Sequence, residues 1–147
     1  MGKITIQDID LGMKKLFREL ESDAKHVDIG VQSDESEQLL IIASANEFGT
    51  ERGIPQRSFI RSTVDNLEDK YAHEIERLAN HLIEGRYSKF QALSILGQLV
   101  EGDIKNTIIT LKEPPNDPST IKNKGSDNPL VDTGLLGGSI RYVVKNE

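Results

Sequence analysis

The sequence contains no cysteine, which rules out disulfides and thiolate metal sites and suits assembly in a reducing cytosol. Histidine is scarce as well, present only as His26, His73 and His81. His73 and His81 lie eight residues apart, about two helical turns, too far for shared ligation on one helix, and no Glu-x-x-His pattern occurs. Neither a metal site nor a cofactor is expected.

Positive charge is also in deficit. Eighteen Lys and Arg face 24 Asp and Glu, a net charge of -6, which disfavours a dedicated nucleic-acid binder and adhesion to anionic membranes. No apolar run approaches the roughly 20 residues that cross a bilayer. The opening MGKITIQDID lacks a cationic segment followed by a long apolar one, and Ile6 stands where a myristoylation motif wants Ser or Thr, so neither a secretory signal nor that lipid is expected.

Catalytic motifs are missing in the same way. In GLLGGS (134–139) the serine follows the glycines, so the segment is not a Gly-x-Ser-x-Gly elbow, and no Lys-Ser or Lys-Thr pair follows to complete a phosphate loop. Asp65, Glu68, Asp69, Glu74, Glu76 and Glu84 fall between the apolar positions of a helical segment, where charges solvate its outer face. Enzymatic activity is not expected.

What the chain does carry is pattern. Its 147 residues fit one domain, with exposed loops at about 46–58 and 112–130; at 36% hydrophobic and 29% charged, a modest core and a large wet surface follow. Ile9, Met13, Leu16, Phe17 and Leu20 recur at helical spacing, with Thr5 and Asp8 placed as a capping pair. HVDIGVQS alternates as a half-buried strand, and the apolar run QLLIIASA reads as a second strand closing a hairpin. Ile60 to Leu82 steps by three or four as one long helix ended by Gly85. A further helix follows Ser88 as cap, weakened by Gly97 and Gly102 by about 1 kcal/mol each, with close helix packing a reason for their presence. KEPPNDPSTIKNKGSDNP holds four of the five prolines and reads as a long exposed loop; SIRYVVKN restores alternation. The expected fold is α+β: a small antiparallel sheet of three to four strands, packed on one face by long amphipathic helices, with the long loop before the last strand.

Arg52, Arg57 and Arg61 cluster near Phe59, a grouping that in an acidic chain suits salt bridges or an interface better than nucleic acid. Asp132 or Thr133 would cap a turn that buries Leu136. Helical geometry points Leu135 about 100° away from Leu136, so one of the pair is expected to face outward and contact a neighbour. Phe48 and Phe59 are open to either core or contact.

Three segments together resemble a known family: NEFGTERGIPQRSFIR, ALSILGQLVEGDIKNTI and PPNDPSTIKNKGSDNPLVDTGLLGGSIRYVV. In order and spacing, over most of residues 44 to 144, they are similar to the neck and tail-completion proteins of long-tailed bacteriophages, the group of the lambda minor tail protein Z and the Mu virion morphogenesis protein G. Glu47, Phe48 and Gly49 match its acidic-aromatic-glycine step. Ile54, Pro55, Arg57, Phe59 and Arg61 match its isoleucine-proline-arginine-phenylalanine run. Asn116, Pro118, Thr120, Lys124 and Gly125 follow its loop, and Asp132, Thr133, Gly134, Leu136, Ser139 and Ile140 its closing turn and strand. Ser58 replaces a frequent second proline, and Leu135, Gly137 and Gly138 occupy places that are commonly polar or basic.

The resemblance implies a non-enzymatic structural virion protein, a ring of six at the head-to-tail junction. Its expected partners are itself and the neighbouring connector, tail-terminator or tail-tube proteins, with DNA passing through the ring without specific binding. It implies a virion location at the neck or tail and the host cytoplasm during assembly. A head-closure or tail-terminator protein is the near alternative. A small hydrolase or ligand-binding protein with a scattered site around His73 or His81, or a nucleic-acid adaptor using the arginines, are alternatives of another class. Combined with the residue pattern, the candidate assembly interface is Phe48, Arg52, Arg57, Phe59, Arg61, Leu135, Leu136 and Arg141.

Overall fold

Reciprocal capping sets the start of the longest element. The Ser88 hydroxyl accepts from the Gln91 N–H at 3.2 Å while the Gln91 side chain accepts from the Ser88 N–H at 2.9 Å, which satisfies two donors of the first turn at once. In the computed structural model, which describes residues 13–22, 24–125, 127–131 and 134–146, the resulting helix α5 (Lys89–Thr110) buries Val100, Ile104 and Ile108 and packs across an antiparallel pair of strands.

Those strands are β1 (Lys25–Val31) and β2 (Ile140–Asn146), in a register that sets Val27 opposite Val144, Ile29 opposite Tyr142 and Val31 opposite Ile140. Alternation turns this apolar set toward α5 and leaves the other face to solvent, where Lys145 pairs with Asp28 at 2.6 Å and Arg141 with Asp34. Gly97 marks the closest approach: a Cβ there would lie 2.6 to 2.9 Å from Tyr142 atoms. Gly102 has open space around it, so close packing accounts for the first glycine and not the second.

The fold is α+β, yet the sheet has two strands among the described residues where three to four were expected. The missing strand is QLLIIASA, which forms part of helix α2 (Glu37–Phe48). Ser36 caps it by accepting from the Leu39 N–H at 3.3 Å. Gly49, at φ 73°, ends it in a conformation that side chains resist. An unbroken apolar run carries no period of its own, so caps and length decide.

The expected long helix from Ile60 is two helices, α3 (Arg61–Asn66) and α4 (Glu68–Ile83), which meet at Leu67 with φ -117° and ψ 18°. The proline-rich loop is interrupted by α6 (Pro118–Lys124). Asp117 caps it by accepting from the Ser119 N–H at 2.8 Å, Pro118 opens it, and left-handed Gly125 closes it. The first helix is seen as α1 (Met13–Glu21); its expected caps Thr5 and Asp8, and Ile9, lie outside the described residues, as do Asp132 and Thr133. A short helix α7 (Leu135–Ser139) follows left-handed Gly134 and leads into β2. Phe59, Ile104, Ile108 and Ile140 are at most 1% exposed and centre a cluster that also takes in Ala43, Leu130 and Leu136.

Candidate assembly surface

The stretch that follows α2 folds back on that helix through one carboxylate. Glu47 is buried. One of its oxygens accepts from the N–H groups of Phe59 at 2.8 Å and Ile60 at 2.9 Å. The other accepts from the Ser58 hydroxyl at 2.7 Å, the Arg61 N–H at 3.1 Å and Arg61 Nε at 3.2 Å. Three consecutive backbone donors at the start of α3 are thereby satisfied by a side chain 12 to 14 residues earlier. Burial pushes the Glu47 pKa upward, but the hydrogen bonds from Ile60, Ser58, Arg61 and Phe59 outweigh it and hold the carboxyl below its ordinary range.

Arg57 makes a second tie. Its backbone N–H donates to Asn46 O at 2.7 Å, and its guanidinium donates to Pro114 O at 2.8 Å and Pro115 O at 2.9 Å. The buried cation thus pins the 112–117 segment to the end of α2. Burial lowers its pKa, though guanidinium stays charged in proteins. A third tie lies beyond α6: Asn128 Oδ1 accepts from the N–H groups of Leu130 and Val131 at 3.0 and 3.1 Å, and its amide donates to Ile109 O at the end of α5.

These ties sort the eight candidate interface residues. Phe59 and Leu136 are core, 0% and 6% exposed, and Arg57 is buried as a clamp. Arg61 binds Glu47 and lies 5.0 Å over the Phe48 ring, while Arg141 pairs with Asp34 and Glu35 on the solvent face of the sheet, apart from the others. Phe48 at 64%, Leu135 at 66% and the exposed Arg52 face solvent. Of the pair Leu135 and Leu136, one of which was expected to face outward, Leu135 is the one that does. The remaining members of the surface come from α2 and the turn after it: Ile41, Ile42 and Ile54 are also exposed.

Between α2, the turn at 53–55, α6 and α7 runs a groove of about 440 Å³, floored by Leu130 and Leu136 and rimmed by Ile42, Ile54 and Leu135. Asn116 lines it, and its amide nitrogen is buried without a hydrogen-bond partner among the described residues. Its walls are mixed: Asn46, Arg57, Asp117, Thr120 and Lys124 line it beside the apolar side chains. His73 and His81 are elsewhere: His73 Nδ1 lies 2.7 Å from Asp69 O, and the His81 ring meets Tyr87 edge-on at 5.1 Å. Neither lines the groove.

Sequence reasoning missed the part played by Glu47, because its partners lie a turn and a loop away in the chain. It also missed α2 as a contact surface, although its apolar residues on every side are themselves a signal, since a helix apolar all round belongs in an interior or an interface. Comparison of the chain with protein-family models, curated proteins and solved structures finds no match.

Proposed function

We propose that this chain is a structural virion protein of a long-tailed bacteriophage, a neck or tail-completion subunit that joins the tail to the capsid connector as a ring. It acts by contact rather than by chemistry. The observation that carries the reading is the clasp at residues 46–61: the segment with the densest family resemblance is held through Glu47 and Arg57, leaves Ile54 bare on the groove rim with Leu135, and leaves Phe48 bare with Ile41 on another side of α2. Loops on a rigid scaffold are where recognition concentrates, and contiguous exposed apolar surface marks sites of protein contact. The acidic balance suits a passage through which DNA moves without sticking.

In the phage genome that encodes it, inactivating the gene should yield filled heads beside unattached tails in electron micrographs; normal infectious particles would defeat the reading. A head-closure or tail-terminator role shares size and ring habit. Copurification of the protein with isolated tails favours tail completion, and copurification with tailless capsids favours head closure.

A further inference from the structure

A buried cation is costly unless an anion or a full set of acceptors replaces its water. Arg57 is 6% exposed. Of the N–H donors in its guanidinium fork, one meets Pro114 O at 2.8 Å, one Pro115 O at 2.9 Å, and one the Asn46 side-chain oxygen at a long 3.5 Å. All three acceptors are neutral. No carboxylate among the described residues forms an ion pair with it, although Asp65 and Glu113 border a hollow on one side of it.

The same side chain stands in the wall of the 440 Å³ groove, and Asn116 stands there with it. The Asn116 amide nitrogen is buried and has no acceptor among the described residues, a state that native structures rarely leave unanswered. Two cations, Arg57 and Lys124, and one carboxylate, Asp117, line the groove, a positive balance in a chain of net charge -6. Asp117 is exposed and turned to another task, since it accepts from the N–H and the hydroxyl of Ser119 as the cap of α6. Beside these polar groups the wall is aliphatic, with Ile42, Ile54 and Leu135. Its volume falls within the range of sites that enclose a ligand, about 300–1,000 Å³.

From these we infer that the groove is a carboxylate-binding site: its occupant is a segment of a partner protein in which a carboxylate, received by Arg57 and the Asn116 amide, adjoins an aliphatic side chain seated against Ile42, Ile54 and Leu135. A carboxylate supplies both things the groove lacks, a negative charge and acceptor oxygens, and charge-assisted bonds are the stronger kind. A phosphate would meet the same donors, but the aliphatic wall and the acidity of the chain as a whole favour a peptide over a nucleic acid. The C-terminus of a chain and the side chain of Asp or Glu share this chemistry. The inference deepens the assembly reading and rests on this surface being a contact surface, but it is testable without a virion.

The test is NMR of the isotope-labelled protein titrated with N-acetyl-leucine, which carries one terminal carboxylate and one isobutyl group. The Asn116 side-chain amide and the Leu136 methyl signals should shift and saturate. N-acetyl-leucinamide, nearly the same shape without the charge, should bind about tenfold more weakly or worse, as loss of a charge-assisted hydrogen bond requires. Acetyl-Leu-Glu-Leu-amide against its Gln counterpart repeats the comparison with a side-chain carboxylate, and whichever acid binds more tightly identifies the source. Asn116→Asp puts a like charge where the donor was and should abolish binding, with a cooperative thermal melt showing that it folds. Arg86→Ala, an exposed arginine outside the groove, should leave binding unchanged. Equal affinity for acid and amide in both pairs, full binding by Asn116→Asp, or no shift with any probe at about 10 mM overturns the inference. Tighter competition by inorganic phosphate or a DNA duplex than by either acid also overturns it, in favour of a phosphate site. No binding alongside detached tails in the gene-inactivation experiment removes the carboxylate site and keeps the virion role; binding alongside normal virions does the reverse.

Discussion

Replacing Glu47 by Gln removes the charge at the centre of the clasp while nearly preserving its volume. Five donors converge on the carboxylate: three backbone N–H groups, one hydroxyl and the Arg61 guanidinium, at 2.7 to 3.2 Å. An amide offers one accepting oxygen and turns an NH₂ toward donors on its other side, so at least two of the five lose their acceptor. With charge-assisted bonds worth about 1.5–3 kcal/mol each and buried donors costly to strand, the net loss should be about 2–3 kcal/mol. Glu47→Ala, which strands all five, should cost about 3–5 kcal/mol. In urea unfolding, a slope of about 2 kcal/mol/M turns the Gln variant into a midpoint drop of about 1–1.5 M.

Arg61→Ala is the control. It deletes a half-exposed partner of the same carboxylate and should cost under about 1 kcal/mol. The pH dependence gives a second check. The folded pKa of Glu47 is depressed, so its contribution is full above the unfolded value, about 4.3, and is lost as pH falls through the folded one. Wild-type midpoints should fall on acidification below about pH 5, and the Gln variant should lose that share of the slope. If Glu47→Gln costs no more than Arg61→Ala, or the acid slope is unchanged, the clasp does not hold the fold as argued.

The two α5 glycines should respond in opposite directions. Gly97→Ala drives a methyl into the base of Tyr142 and should lower stability by about 1–2 kcal/mol, overpacking outweighing the gain in helix propensity; Gly102→Ala, with nothing near it, should raise stability by about 0.5–1 kcal/mol. Thermal melts of both variants decide this, and a stabilised Gly97→Ala would refute the close approach. The adjacent leucines should separate as well: Leu136→Ala should cost about 2–5 kcal/mol as a cavity in the core. Leu135→Ser should change stability by no more than about 0.5 kcal/mol. Equal destabilisation by the two would contradict the placement of one inside and one out.

Both strands, α5 with its Ser88 cap and the α+β class were legible in the chain because each rests on a local period or a local cap. Helix α2 was not: in QLLIIASA the apolar residues are continuous, and the deciding signals are Ser36 before the run and Gly49 after it, which make it twelve residues long, more than a usual strand. Helix α6 hid behind proline content, although Asp117 before Pro118, with Gly125 beyond, is a helix-start and helix-stop pattern. Helical geometry alone set Leu135 and Leu136 on different sides, while which of them is buried is settled by how α7 packs. Phe48 and Phe59 could not, because their difference arises from how Glu47 folds residues 58–61 back on α2, a contact that no spacing rule reports. The groove between α4 and α5 is likewise tertiary: Ile75 and Leu93, which line it, belong to different helices.

The central claim is that copies of this chain form a closed ring at a head-to-tail junction. Cryo-electron microscopy of purified virions, with the chain identified in the same particles by mass spectrometry, tests it most directly. The expected result is density for several copies in one cyclic layer at the neck. Mature, infectious virions that lack the chain altogether would contradict it.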